Sequence, residues 1–154
     1  MRLRTVQRSA ARRRGAAVAE MAILLSVLAF LFIVAVDFAR LFYFSLTLKN
    51  CARNGAYYAS DYPGIYGYGS AQAAALADAP NLDPALTASN VTVGYDSSPT
   101  GTFSQTSPVR PGYVQVTVTW TFNTLTSYPG IASTWNLSQS EIMKMAPITP
   151  SNFP

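Results

Sequence analysis

A long apolar run near the N-terminus is the strongest hydrophobic pattern in the chain. Residues 21–36 read MAILLSVLAFLFIVAV and contain no charged side chain. Extending the run back to Ala16 gives about 31 Å of helix, which matches the roughly 30 Å hydrocarbon core of a bilayer. Glu20 is the one charged residue in this longer stretch. The pattern therefore predicts a transmembrane helix over residues 16–37.

The helical period continues beyond the predicted span. Residues suited to packing recur at alternating spacings of three and four, which is typical of a helix face that contacts another element. They are Leu41, Phe44, Leu48, Cys51, Gly55 and Tyr58. Asp37 and Arg40 are expected to pair on one face, and the aromatic residues 42–44 suit a membrane interface. One helix is expected over residues 16–60, with 38–60 outside the membrane.

The rest of the chain predicts a short helix and strands. Ser70 is a candidate N-cap for a helix over residues 71–79, and Pro80 ends it. The clearest strand covers residues 113–122, where apolar and polar residues alternate. Its predicted core side consists of Val114, Val116, Val118, Trp120 and Phe122. Residues 90–95 and 138–145 are weaker strand candidates.

These elements together predict an α+β fold of type IV pilin-like architecture. A three-stranded antiparallel sheet is too small to bury its own apolar face, so we expect it to pack on the outer part of the long helix. The expected organisation is a basic cytoplasmic leader (1–15), the span (16–37), the extracytoplasmic continuation (38–60), a small head (61–146) and a Pro-rich tail (147–154). Pro63 and Gly64 are expected to end the long helix.

The positive charge is concentrated before the apolar run. Six of the eleven basic residues precede Gly15, with no acidic residue among them. Arg12, Arg13 and Arg14 directly precede the predicted span and indicate a cytoplasmic N-terminus under the positive-inside rule. The remaining five basic residues face seven acidic ones. This balance argues against a nucleic-acid-binding head.

Two other interpretations of the apolar run stay open. A cleaved secretory signal has an apolar region of roughly 7–15 residues and an Ala-x-Ala-like site; this run is longer, and residues 34–36 are a poor match. A helix buried in a protein core has a similar composition. The arginines on one flank favour a retained span.

The composition excludes several kinds of catalytic and metal site. The chain has no histidine and one cysteine, Cys51, so it cannot form a Ser-His-Asp triad, a Cys-His pair, an ordinary zinc site or an intramolecular disulfide. The carboxylates outside the long helix are scattered, which leaves paired-carboxylate chemistry as a weak alternative. We predict no catalytic residues, no metal site and no cofactor.

The motif at the start of the span resembles the class III signal of type IV pilins and pseudopilins. It consists of three arginines, Gly15, and a glutamate five residues later, Glu20. The resemblance implies that a prepilin peptidase cuts between Gly15 and Ala16. It also implies that Glu20 serves assembly by pairing with the new ammonium group of a neighbouring subunit, because a buried carboxylate is costly without such a partner. Here Ala16 stands where type IV pilins usually begin with phenylalanine or another large apolar residue.

A second resemblance covers residues 12–60. The stretches RGAAVAEMAILL, VDFARLFY and NCARNGAYYA look like the TadE-like family, which comprises pseudopilins and related envelope proteins of the tight-adherence (Flp-type) pilus system. Tyr57 and Cys51 stand where the family often has arginine and alanine. The resemblance implies a single-pass inner-membrane protein that acts in pilus assembly, export or adhesion. Its implied partners are membrane lipid, prepilin peptidase, other pilin subunits and envelope assembly proteins.

The sequence thus supports a non-enzymatic pseudopilin that is cut after Gly15. The predicted helix-packing and membrane-interface residues are Asp37, Arg40, Leu41, Phe44 and Leu48. The alternative is an uncleaved single-pass module whose head binds other envelope components. The mass of the mature chain separates these two hypotheses.

Overall fold

The chain folds into one long helix followed by a short helix and a three-stranded sheet. The computed structural model describes residues 6–61, 67–80, 82–127, 130 and 132–147, with side chains from residue 15 onward. The elements are α1 (Val6–Ser60), α2 (Ala71–Ala77), a 3₁₀ turn (Ala88–Asn90), β1 (Val91–Asp96), β2 (Tyr113–Asn123) and β3 (Thr134–Lys144). The predicted α+β class, a long apolar helix followed by a small antiparallel sheet, is confirmed.

Helix α1 ends at Ser60, as predicted, but it begins at Val6 rather than near Ala16. Arginine and alanine dominate residues 8–14 and are among the better helix formers, which explains the earlier start. The expected helix stop at Pro63 and Gly64 lies outside the described residues, as does the tail from residue 148 onward.

The sheet has the order β1-β2-β3, and both pairs of strands are antiparallel. In β2 every second residue is buried, which confirms the predicted alternation. Val118 lies opposite Val91 of β1, and Trp120 lies opposite Leu137 of β3. One face of the sheet is therefore apolar along its centre, while the other carries mainly Thr, Ser and Gln side chains.

The boundaries of the weaker elements differ slightly from those predicted. Strand β3 begins at Thr134, before the predicted start at Ser138, and most of its side chains are half-buried or exposed. Helix α2 ends at Ala77, before the predicted end at Ala79. Its predicted N-cap is confirmed, because the Ser70 hydroxyl accepts a hydrogen bond from the Ala73 N–H at 3.1 Å.

The chain divides into two compact units, Met1–Arg40 and Leu41–Pro154. The second unit contains the hydrophobic core, in which Leu48 and Cys51 of α1 and Val116 of β2 are fully buried. The sheet therefore packs on the predicted stripe of α1, and this prediction is confirmed. The predicted domain boundaries at residues 37 and 60 remain predictions, but residues 41–60 share a unit with the sheet.

Gly55 allows the closest approach in this core. A Cβ added at Gly55 would lie 3.1 Å from the Ala71 carbonyl oxygen, from Ala75 Cβ and from Val116 Cγ1. The absence of a side chain at this position brings α1 against both α2 and β2. The Asn54 side-chain amide donates a 2.8 Å hydrogen bond to the Ala74 carbonyl and fixes α2 beside α1.

Candidate functional site

The N-terminal unit presents an apolar helix with almost nothing covering it. Residues 15–36 carry apolar side chains on every side of α1, and most of them are exposed, including Val18 (70%), Ile23 (68%) and Phe32 (70%). The apolar window of the segment Gly15–Ser60 is only 6% buried, and by length and composition the segment is able to cross a membrane. A helix that is apolar all round is normally surrounded by lipid or protein. In the described chain it is not a buried core helix.

The proposed processing motif lies at the start of this segment. Gly15, Ala16 and Glu20 are all exposed. Apart from its two chain neighbours and the adjacent backbone of its own helix, no described atom lies within 4 Å of the position that a Cβ on Gly15 would take, so packing among the described residues does not require glycine there. The contrast with Gly55 favours a role outside the fold for Gly15. The side chains of Arg12, Arg13 and Arg14 lie outside the described residues, although their backbone is helical.

Asp37 and Arg40 form the predicted ion pair. Arg40 Nη1 donates to Asp37 Oδ1 at 3.1 Å, and only 5% of Asp37 is exposed. A carboxylate so well shielded needs a charged or hydrogen-bonding partner. The pair therefore allows two charged residues to follow the apolar segment directly.

Three of the predicted helix-packing residues contact the hydrophobic core of the second unit. Leu48 is fully buried, while Leu41 and Phe44 are partly buried against the same core. The Phe44 ring lies 4.9 Å from the Trp120 ring and 6.0 Å from the Phe122 ring. Phe44 therefore packs with the predicted stripe, and its position relative to a membrane stays a prediction. Phe42 and Tyr43 remain 66% and 65% exposed.

Two polar contacts that hold the head were not predicted. Lys49 of α1 pairs with Glu141 Oε2 at 2.6 Å and donates to the Ser140 carbonyl at 2.6 Å. Arg110 donates to the Asp61 carbonyl at 3.0 Å and to the Ala146 carbonyl. These contacts join residues far apart in sequence, so no local pattern indicates them.

Cys51 is a buried structural residue in this fold. It is fully buried against the sheet. Burial raises the pKa of its thiol from 9.0 to about 11, with a smaller contribution from the negative charge of Asp78. Because the thiolate is the reactive form, the cysteine is protected at neutral pH. This agrees with the prediction of a small packed residue.

Two carboxylates of the head, Asp96 and Glu141, have hydrogen-bond or ion-pair partners within the chain. Asp96 accepts a 2.9 Å hydrogen bond from the Ser98 N–H. Hydrogen bonds from this and neighbouring backbone N–H groups lower the pKa of Asp96. Glu141 pairs with Lys49. No group of three or more His, Cys, Asp or Glu side chains there is placed to hold a metal ion.

Most of the helix stripe, together with Gly15 and Glu20 of the boundary motif, lies within one matched segment. Residues 15–56 match the family model of TadE-like proteins. The resemblance to the TadE-like family is confirmed. This TadE-like segment lies entirely within α1 and includes Gly15, Glu20, the Asp37–Arg40 pair and the sheet-packing residues up to Ala56. Searches of curated proteins and of solved structures return no significant match.

The TadE-like match implies a protein associated with the tight-adherence pilus. It covers the apolar segment that is able to span a membrane. It ends before α2 and the sheet, so it carries no information on what the head contacts. The predicted absence of catalysis is in keeping with a structural family and stays a prediction.

Proposed function

We propose that this chain is a pseudopilin or minor pilin-like subunit of a tight-adherence type pilus or a related secretion apparatus. It is anchored in the bacterial inner membrane by residues 16–37, with its N-terminus in the cytoplasm and its head outside. It acts by assembling with other subunits and not by catalysis. The observation that carries the proposal is the exposed apolar segment of α1. This segment starts at Gly15, includes Glu20, and lies within the match to the TadE-like family model.

The exposure of the helix supports a role in lipid and then in subunit contacts. Burying an apolar side chain such as Ile23 or Phe32 contributes about 1.5–3 kcal/mol. Both side chains are largely exposed within the chain itself. A bilayer supplies this environment before assembly, and helices of neighbouring subunits supply it afterwards.

The boundary motif supports processing by prepilin peptidase. Gly15 lies within α1, but glycine weakens a helix at its position, so a protease can open the helix there to reach the peptide bond between Gly15 and Ala16. Cutting there frees an ammonium group on Ala16. Glu20 is exposed and is available to pair with the ammonium group of a neighbouring subunit once helices stack side by side.

Two substitutions test the proposal in the full chain expressed with its native secretion genes. Gly15→Val is expected to leave the membrane-bound chain at its precursor mass, because the branched side chain obstructs the cutting site. Ala17→Val is the matched control, since Ala17 is an exposed neighbour on the same helix. Normal mature mass in the Gly15→Val chain would contradict the processing site.

Glu20→Ala separates assembly from insertion. We expect the variant to be inserted and cut normally but to be recovered much less in the assembled apparatus, because the new ammonium group loses its partner. Ser26→Ala is a control, because the Ser26 hydroxyl donates within its own helix to the Ala22 carbonyl. Normal assembly of the Glu20→Ala chain would contradict the proposed role. A chain that is never cut would favour the uncleaved binding module.

A further inference from the structure

The outer half of α1 has a second surface, on the helix face opposite the buried residue Leu48. It forms the floor of a groove, which we call the outer groove. Six of the residues that line it are Tyr43, Leu46, Arg53, Tyr57, Tyr68 and Asp78. All of them lie in the unit Leu41–Pro154, which contains the outer half of α1 and the head, so the groove lies within one unit.

The groove has the side chains of a protein contact surface. Tyr43, Leu46, Arg53 and Tyr57 follow helical spacing on one face, opposite the buried residue Leu48. Tyr43 is 65% exposed, and Leu46 and Tyr57 are each 51% exposed. Tyrosine and arginine are enriched at protein interfaces and among residues that dominate binding energy. A solvated helix face would instead be rich in charged residues.

The charges of the groove indicate which partner binds there. Arg53 and Asp78 are exposed and opposite in sign, and both line the groove. Neither takes part in an ion pair among the described residues, whereas Arg40 and Lys49 both do. A second copy of the chain presents the same two charges. When two such grooves face each other about a two-fold axis, Arg53 of each copy meets Asp78 of the other.

We propose that the outer groove is a contact surface between two copies of this chain, with Arg53 of one copy paired to Asp78 of the other. The tyrosines and Leu46 supply the apolar area of the contact. The proposal depends neither on the position of the membrane nor on cutting after Gly15. The contact combines Arg53, which lies in the TadE-like segment, with Asp78, which lies beyond it.

Charge reversal in full-length chains tests the contact. Two differently tagged copies are expressed together in membranes, and capture of one tag is scored by recovery of the other. Arg53→Glu in both copies, or Asp78→Arg in both copies, is expected to lower co-capture at least about tenfold, because both pairs become like-charged. One Arg53→Glu copy with one Asp78→Arg copy is expected to restore capture, because both contacts again join opposite charges.

Matched reversals outside the groove provide the control. Lys144→Glu and Asp83→Arg change exposed charges of the same kinds and are expected to leave co-capture unchanged. The proposal is overturned if wild-type copies do not capture each other, if the groove reversals have no effect, or if the mixed pair fails to restore capture. The mature mass of the same samples reports cutting after Gly15, so failure of this contact is distinguishable from failure of the proposed function.

A cross-link provides a second measurement. In a Cys51→Ala background, one copy carries Arg53→Cys and the other carries Asp78→Cys. Mild oxidation is expected to join the two tags into a dimer, because these positions face each other across the contact. The same experiment with Asp83→Cys in place of Asp78→Cys is expected to give no dimer. Equal cross-linking at both positions would overturn the proposed geometry.

Discussion

The two halves of α1 use apolar residues in opposite ways. Residues 16–36 carry large aliphatic and aromatic side chains on every side and leave them exposed, with Phe32 at 70%. Residues 41–60 carry smaller residues on one side and bury them, and Cys51, Ala52 and Ala56 are all inaccessible. The first half therefore needs an apolar environment from outside the chain. The second half provides a surface to which the sheet can approach closely.

If the first half of α1 lies in lipid, as we propose, one helix has two kinds of partner, a lipid bilayer and a folded sheet. Lipid follows the shape of any apolar surface, so the first half needs only hydrophobicity and length. A folded sheet has a fixed shape, so the second half needs small residues at set positions, such as Gly55 against Val116. The same substitution should consequently have different effects in the two halves.

Leu48→Asp is expected to have the largest effect on the head. Leu48 is fully buried against the sheet, and an unpaired charge there is expected to cost more than about 4 kcal/mol. The head should lose its resistance to protease while the chain remains in the membrane. Ile142→Asp is the matched control, because Ile142 is 40% exposed on the polar face of the sheet. Equal resistance in the two variants would contradict the packing of the stripe.

Leu28→Asp places the same change in the first half. We expect a cost of about 2.5–3.5 kcal/mol in membrane insertion, because the carboxylate falls near the middle of the span. Carbonate extraction of membranes measures the inserted fraction. The effect on insertion should be absent in Leu48→Asp. Normal insertion of the Leu28→Asp chain would count against residues 16–37 as the span.

Gly55→Val tests the close approach of α1 to the sheet. The new side chain would enter contacts that are already at 3.1 Å, so we expect the free energy of unfolding to fall by about 1–3 kcal/mol. Gly55→Ala should cost less, because its smaller clash is partly offset by better helix propensity. Urea unfolding of the head in detergent measures both. A stabilising valine would contradict the observed packing.

Lys49→Ala is expected to have a small effect. Its ion pair with Glu141 is solvent-accessible, with side-chain exposures of 46% and 28%, so we expect about 0.2–1 kcal/mol. The loss should shrink as salt is added. Urea unfolding at low and high salt measures it, and Glu141→Gln provides the second arm of a double-mutant cycle. A loss of several kcal/mol that ignores salt would contradict a surface pair.

Cys51 gives the smallest effect at neutral pH and a measurable one in alkali. Its thiol pKa is raised from 9.0 to about 11 by burial. Below pH 9 the thiol is protonated in the folded and unfolded states, so it adds no pH dependence. Between pH 9.0 and about pH 11 the thiol is ionised in the unfolded chain but still protonated in the folded head. The stability of the folded head therefore falls as pH rises through this range. Above about 11 the dependence ends.

Cys51→Ala isolates this dependence. The difference in unfolding free energy between wild type and variant should shift towards the variant from pH 9 to pH 11 and stay constant below pH 9. Other titrating groups cancel in the difference. A difference that is the same at pH 8 and pH 11 would contradict the buried position of the thiol.

The sequence predicts best the elements whose buried residues recur at a regular spacing. The stripe from Leu41 to Tyr58 and the alternation of β2 indicate their buried faces directly, because one side of each element faces one partner. Strand β3 is predicted less well, since Gln139 and Glu141 occupy its core-facing positions beside Leu137 and Met143 and weaken the alternation. The early start of α1 was missed because hydrophobic periodicity carries no signal in an arginine-rich leader.

The candidate site was predicted only as far as local spacing reaches. The Asp37–Arg40 pair spans one helical turn and was foreseen. The Lys49–Glu141 pair joins residues brought together by the fold, and the outer groove combines α1 with Tyr68 and Asp78 from later segments. Such groupings depend on the arrangement of elements, which periodicity does not specify. The roles proposed for Gly15 and Glu20 depend on partners outside the chain.

N-terminal sequencing and intact-mass measurement of the chain recovered from its native membrane test the central claim most directly. The account predicts a chain that starts at Ala16, with the leader removed at the glycine that the fold does not require. A chain that starts at Met1 would contradict processing, and the protein would then be an anchored envelope module with Glu20 as an ordinary residue of the membrane boundary.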